Sequence, residues 1–354
     1  MTISELAGAR LYNQHLLKDI ASPQAVVRSL AAIQSQDFTG GKWAIGLRCK
    51  TTEAAVQKLF DNGEILRTHA LRPTWHFVAP QDIRWIQALT GPRVHAFNKY
   101  YYKKVGLDET LLQKTNKLLT TVLRGGNQLT RTELAKVFTK AGLGEVTGLR
   151  FGYILIYAEL ESLICSGAMQ GKQHTYALVE DRAPQAISMP RSKALAELTK
   201  RFFTAHGPAQ IADFAWWSSL TVADIKQGIE LAKLKTTEIE GKTYYYAKDV
   251  PSTIPSPIAH LLPNYDEYFI AYKNRTAFSP RFKMSRKPEY ADMSYHLLAM
   301  DGQMAGGWKR EINKNGFILK LTPFIDFTPG QKKALAAAAA RLSRFAGLPV
   351  KVVS

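Results

Sequence analysis

Two Gly-Lys hairpin tips, Gly171-Lys172 and Gly241-Lys242, lie 70 residues apart in this 354-residue chain, and each follows a run of short amphipathic helices. A small unit of this kind cannot bury its apolar face alone, so its repetition confines the chain to a tandem array sharing surfaces. In the clearer copy Leu111, Leu112, Leu118, Leu119, Val122 and Leu123 recur at helical spacing until Gly125-Gly126. Thr130-Arg131-Thr132-Glu133 is a capping box for a helix to Lys140, and a third helix spans Leu149 to Leu163. Strands are expected at Ala168-Met169 and from His174 to Val179. The next copy has helices from Ser192 to Ala205, Gln210 to Trp217 and Thr221 to Leu234, then strands at Thr237 to Ile239 and Thr243 to Ala247.

Helix, helix, helix, hairpin is the winged-helix plan. The N-terminal segment fits it with helices from Ser4 to Leu17, from Pro23 behind a Ser22 cap, and from a Thr52 cap to Asn62-Gly63. Its wing runs from Glu64 to Ala70 and Thr74 to Val78, and a helical insert covers Pro80 to Tyr102. After Val250 the texture changes to prolines, short strands with turns at Asp301-Gly302 and Asn315-Gly316, and a final alanine-rich helix capped at Thr328. The expected fold is α+β and mainly helical. A first winged helix with its insert occupies 1–105, a second 106–180 and a third 181–250; a small β-barrel closed by a helix occupies 251–354.

Charge constrains the partner. The chain carries a net +18; residues 1–105 hold 14 basic against 7 acidic residues, and residues 258–354 hold 15 against 7. The two ends therefore carry +15 of the total, which points to a polyanion, nucleic acid ahead of a membrane surface. No signal peptide is expected from the first residues, and no apolar run is long enough to span a bilayer. With only Cys49 and Cys165, a cytoplasmic protein without disulfides or a cysteine-based zinc site is expected.

Familiar catalytic signatures are absent: the chain has no dinucleotide or phosphate-loop glycine motif, no His-Glu-x-x-His and no Gly-x-Ser-x-Gly. The eight histidines lack metal-ligand spacing, so neither metal nor cofactor is expected. Two features stand out. Gln34-Ser35-Gln36-Asp37 leaves the second helix, where amides at i and i+2 can point to one side and share a water. Arg67-Thr68-His69 and Arg72-Pro73-Thr74-Trp75-His76 share one hairpin, which reads either as a DNA-facing wing or as a strand whose His76 is hydrogen-bonded in the core.

Gln34-Ser35-Gln36, Arg72 to His76, Leu261-Leu262-Pro263-Asn264-Tyr265-Asp266-Glu267-Tyr268, and Asp301-Gly302 followed by Gly306-Gly307-Trp308-Lys309-Arg310 together resemble the AlkZ-like winged-helix DNA glycosylases, over nearly the whole chain. The resemblance implies three tandem winged helices and a C-terminal β-barrel in a C-shaped channel for duplex DNA. It further implies excision of cationic N7- or N3-alkylated purines, with interstrand crosslinks unhooked by some members. One family branch carries Gln-apolar-Gln and another Gln-x-Asp; Gln34 and Gln36 match the first, Ser35 departs from its apolar middle, and Asp37 lies one place beyond the second's carboxylate.

The expected roles are Gln36 holding the attacking water, Gln34 orienting it or the sugar, and Trp75 and His76 lining the lesion site. Lys42, Arg48, Arg67, Arg72, Arg281, Lys283, Arg286, Lys287, Trp308, Lys309 and Arg310 are expected at the DNA. The protein is expected to act as a monomer on duplex DNA, nucleoid-associated when bound. A non-catalytic regulator or architectural factor is the alternative, because winged helices ordinarily bind rather than catalyse.

Overall fold

Side-chain caps set where the first helices begin. Thr2, Ser22, Asp37 and Thr52 each accept an amide three residues on, opening α1 (Ile3–Asn13), α2 (Pro23–Leu30), α3 (Phe38–Gly46) and α4 (Glu53–Asp61). Between them lies β1 (Ala32–Gln34), which joins β2 (Leu66–Ala70) and β3 (Thr74–Val78) in an antiparallel sheet of order β1-β3-β2. The long helix α5 (Ile83–Lys104) follows. The structure, a computed structural model, describes residues 1–143, 147–249, 254–279, 296–313 and 316–353.

The second segment contains α6 (Glu109–Leu123), β4 (Leu129–Thr130), α7 (Arg131–Lys140), α8 (Gly148–Leu160), β5 (Ile164–Ser166), β6 (Thr175–Leu178) and the short α9 (Val179–Arg182), with sheet order β4-β6-β5. The third contains α10 (Arg191–Ala205), α11 (Ile211–Ser218), α12 (Val222–Ala232) and the hairpin β7 (Lys235–Ile239) and β8 (Lys242–Tyr246). The capping boxes at Thr130/Glu133 and Thr221/Asp224 are formed.

The last segment contains β9 (Ala259–Leu262), the single turn α13 (Glu267–Ile270), β10 (His296–Met300), β11 (Gln303–Asn313), β12 (Gly316–Pro323), α14 (Pro329–Ala346) and β13 (Val350–Val353). The chain is mixed α/β and about half helical. Among the described residues no helix is long and apolar enough to cross a membrane.

Three expectations are corrected. The C-terminal strands do not close: they form a curled half-barrel of order β13-β12-β11-β10-β9, with β9 and β13 at its edges. A bulge at Leu298/Ala299 adds to its curvature. The first strand of the second segment's hairpin lies at Ile164–Ser166, ahead of the expected Ala168-Met169. Helix α3 is unexpected because Gly40, Gly41 and Gly46 are poor helix formers. Packing requires them: a Cβ on Gly41 would stand 2.9 Å from the Phe77 ring and 3.1 Å from Ser35 Cβ, so α3 lies closer to the sheet than any side chain permits.

The cores cross the segment boundaries. Trp43, Phe60 and Phe77 pack with Leu261, Trp308 and Phe345 in one cluster, so the first segment shares its interior with the half-barrel and α14. Its other side, including Leu66, Val78 and Trp85, packs with Phe202, Phe214 and Trp217 of the third segment. The second segment keeps its own core around Leu119, Phe138 and Phe151.

Arg48 and Asp266, both with no exposed side-chain surface, tie the first and last segments together. Arg48 Nη1 and Nη2 each donate to one Asp266 oxygen at 2.8 Å; Nη1 also reaches Ala44 O, Nε the Gln14 carbonyl and Nη2 the Gln14 side chain. Removing one partner strands the other charge in the interior. Arg48→Met is therefore expected to lower the unfolding free energy by about 3–5 kcal/mol in urea titrations, whereas Lys114→Ala, on an exposed side chain of α6, should change it by no more than about 0.5 kcal/mol.

Candidate active site

Gln34 reaches its position through a break in the chain direction. Ala31 ends α2 with φ 64°, in the left-handed half of backbone space, and the next three residues extend as β1. Gln34 is therefore the last residue of a strand, and Ser35 and Gln36 lie in the irregular link from β1 to α3. Ile33 pairs with Phe77 and Gln34 with His76, and the Ser35 amide donates to the Trp75 carbonyl at 2.8 Å. Arg67 donates Nε and Nη2 to the Ser35 carbonyl at 3.2 and 3.1 Å. Both backbone groups of the motif's middle residue are thus fixed by the hairpin.

The last segment holds Gln34 from the opposite side. The fully buried Glu267 takes the Gln34 amide on Oε1 at 2.8 Å and the Trp217 indole on Oε2 at 2.8 Å, while His206 Nε2 stands 3.7 Å from Oε2. Burial opposes ionisation of Glu267, yet His206, the Arg72 guanidinium and the Gln34 amide hold its carboxyl down at about 2. A carboxylate buried in an apolar interior is thereby kept charged directly behind the strand that carries Gln34.

In front of the strand is a cavity of about 310 Å³, lined by Gln34 and Arg72 from the first segment, Trp216 from α11, and Tyr265, Phe269 and Arg275 from the last. The Gln34 side-chain amide makes no hydrogen bond within the described residues. Several neighbours are likewise unsatisfied: among the described residues, Ser35 Oγ, Arg72 Nε and Nη2, Thr74 Oγ1 and His76 Nε2 are buried without a partner. Buried polar atoms are ordinarily paired, so their gathering on two adjacent strands marks a place completed by something outside the chain. Tyr265 on its wall has positive φ (62°), as do Leu71 (61°), next to Arg72 in sequence, and Ala31, just before β1. Strain of this kind is characteristic of functional sites.

The expected site residues divide into those the fold brings together and those it uses internally. Gln36 is exposed, its Oε1 accepting the Trp75 amide at 3.4 Å, and it does not line the cavity with Gln34. Trp75 is half-buried between the Arg67 guanidinium, 4.3 Å from its ring, and the His69 ring at 4.4 Å. His76 is fully buried, with Nδ1 bonded to the Thr74 carbonyl. Asp37 caps α3 through the Gly40 amide.

Among the basic candidates, Arg72 is on the cavity wall, Lys309 is exposed and Arg310 half-buried. Four expectations are corrected. Arg48 is consumed by Asp266, and Arg67 is spent on Ser35. Lys42 is buried against Glu53 at 2.9 Å. Trp308 is buried, donating to the Leu262 carbonyl and stacked on His296. These four side chains are bonded within the protein. Arg281, Lys283, Arg286 and Lys287 lie outside the described residues.

Glu267, Trp216, Tyr265, Phe269 and Arg275 were not assigned roles from sequence. The available signal was the acidic pair Asp266-Glu267 set among aromatics and apolar strands, where a carboxylate needs a buried partner.

The family model "DNA glycosylase AlkZ-like" matches residues 27–345. The chain belongs to this family. In fold it is similar to the Streptomyces sahachiroi DNA glycosylase AlkZ, with a TM-score of 0.79 and 21% identity covering 100% of both chains. Comparison with curated proteins returns no match. In this AlkZ-like protein the backbone of Gln34 and Ser35 is held by bonds to Glu267, Trp75 and Arg67.

Two predictions concern the stability of this site. Burial first, and then Arg72, holds His76 at about 3; burial likewise holds His260 and His296 at about 4. The unfolded chain takes up these protons near pH 6.5 and the folded chain does not, so stability falls as pH drops. The melting temperature should decline continuously from pH 6.5 towards 4, and a flat profile over that window would contradict neutral buried histidines. Removing the unpartnered Ser35 hydroxyl relieves a desolvation cost, so Ser35→Ala should match the wild type or exceed it by up to about 1 kcal/mol in urea titrations.

Proposed function

We propose that this AlkZ-like protein is a monofunctional DNA glycosylase that hydrolyses the N-glycosidic bond of cationic, N7- or N3-alkylated purines in duplex DNA, with interstrand crosslinks as larger substrates of the same chemistry. Its helix-and-hairpin segments are read as three tandem winged helices, divided from the half-barrel near residues 105, 180 and 250 and arranged as a C-shaped cradle for the duplex. The observation that carries the reading is the Gln34 amide, unbonded among the described residues and set on a cavity wall, with its own backbone anchored on a buried carboxylate.

The chemistry requires little more. An alkylated purine already bears positive charge and leaves without a general acid. What remains is to position water at C1′ and to stabilise the positive charge that develops on the sugar. An amide oxygen serves both ends: it accepts a hydrogen bond from the water and turns its partial negative charge towards the sugar. In this reading Gln36, exposed beside Trp75, holds the attacking water, and Gln34 orients it or the sugar. Trp75 and His76 back the lesion side of the hairpin. Bulky adducts fit an open cavity better than complete flipping into a closed pocket.

Ser35 does not weaken this reading. The two glutamines are aimed by the Ser35 backbone groups, both of which are bonded, and its side chain faces α3. DNA contact is assigned to Arg72, Lys309 and Arg310, with Arg281, Lys283, Arg286 and Lys287 added on charge alone.

The test is release of 7-methylguanine from a methylated duplex under single-turnover conditions. Gln34→Ala and Gln36→Ala should each slow release on the order of 10²-fold while leaving the melting temperature near wild type. Equal release by wild type and both variants would refute the assignment. Sequence-preferring binding to undamaged DNA with no base release would favour a regulator.

A further inference from the structure

Arg72 and Arg275 stand on the wall of the cavity that Gln34 lines. Arg72 projects from the β2–β3 turn immediately after Leu71, and its Nε and Nη2 are buried without an acceptor. The Glu267 carboxylate, whose charge it feels, already serves the Gln34 amide through one oxygen and the Trp217 indole through the other. Arg275 is held by its Nε to the Phe269 carbonyl at 3.2 Å, with its guanidinium 4.5 Å from the Phe269 ring and 5.9 Å from the Trp216 ring. Among the described residues neither arginine forms an ion pair with an acidic side chain. Two guanidiniums on one wall repel each other, and buried guanidinium nitrogens without acceptors oppose folding. The other buried arginines avoid this by bonding within the protein, Arg48 to Asp266 and Arg67 to Ser35.

A group with several acceptor oxygens and a negative charge satisfies both cations at once, and a tetrahedral phosphate presents oxygens in two directions where a carboxylate presents one edge. Its position beside the Gln34 amide places the anion next to the reacting sugar. We propose that Arg72 and Arg275 form the seat for one backbone phosphate adjoining the lesion nucleotide, a positioning site that sets the sugar against Gln34. This rests on reading the cavity as the place where the damaged nucleotide enters, and it goes further by naming the group that docks there. Exposed lysines attract any duplex equally along its length; this seat reads a single linkage.

The experiment measures binding of the full-length protein to duplexes with a tetrahydrofuran abasic analogue at the lesion position and one neutral methylphosphonate at the 5′ or the 3′ flanking linkage. Neutralising the correct linkage should weaken wild-type binding by about tenfold and leave Arg275→Gln unaffected, the variant having already lost the same factor on the all-phosphate duplex. Equal penalties in wild type and variant at both linkages, or none at either, would overturn the proposal. A seat for free anion alone would instead show no linkage dependence, while millimolar inorganic phosphate raised the melting temperature of the wild type and not of Arg275→Gln; that outcome also overturns it. The analogue has no glycosidic bond, so a protein that fails to release 7-methylguanine can still pass this test. Normal base release without linkage dependence would sink the phosphate seat alone.

Discussion

Glu267 accepts a hydrogen bond from the Gln34 backbone and another from Trp217, and in doing so joins the first segment to the third through a residue of the last. Its neighbours extend the junction. Asp266 takes the Arg48 guanidinium, and the Tyr268 hydroxyl donates to the Ala7 and Gly302 carbonyls. Three consecutive buried side chains therefore fix α1, β1, α3, α11 and the β10–β11 turn relative to one another. Such a buried ionic junction adds little net stability over an apolar one, because desolvation cancels much of the attraction. Its effect is geometric: hydrogen bonds have direction, so the strand bearing Gln34 has one permitted position against the half-barrel.

A site aimed in this way can leave its working groups unsatisfied. Among the described residues, Ser35, Arg72, Thr74 and His76 hold unpartnered polar atoms in and beside one sheet, and the chain turns through positive φ at Ala31, Leu71 and Tyr265. Each feature opposes folding on its own. They persist because the clusters around Phe77 and Trp217, together with the Glu267 junction, over-determine the backbone.

Local signals in the chain were read well where local physics decides the outcome. The hairpin of Leu66–Ala70 and Thr74–Val78, the boxes at Thr130 and Thr221, and the Thr328 cap are each set by residues within a few positions of one another. The glycine-rich α3 was missed because its propensity is poor and only the nearness of Phe77 and Ser35 explains it. Strand β1 was missed because three residues carry no period, and its pairing with β3 lies more than 40 residues away. The charge count led to over-assignment for a related reason: Lys42, Arg48 and Arg67 look like any basic residue in a sequence, and burial alone reveals that their donors are taken.

The sequence by itself determined the tandem helix-and-hairpin order, the basic ends, and the pair of glutamines flanking a serine, because periodicity, caps and motif spacing are local properties of the chain. Only the tertiary structure decided that the C-terminal sheet stays open, that Gln34 faces a cavity while Gln36 stands outside it, and that Glu267 holds the first in place. Those outcomes depend on hydrogen bonds between residues more than 200 positions apart, whose energy is realised only when three segments meet and exclude water around them.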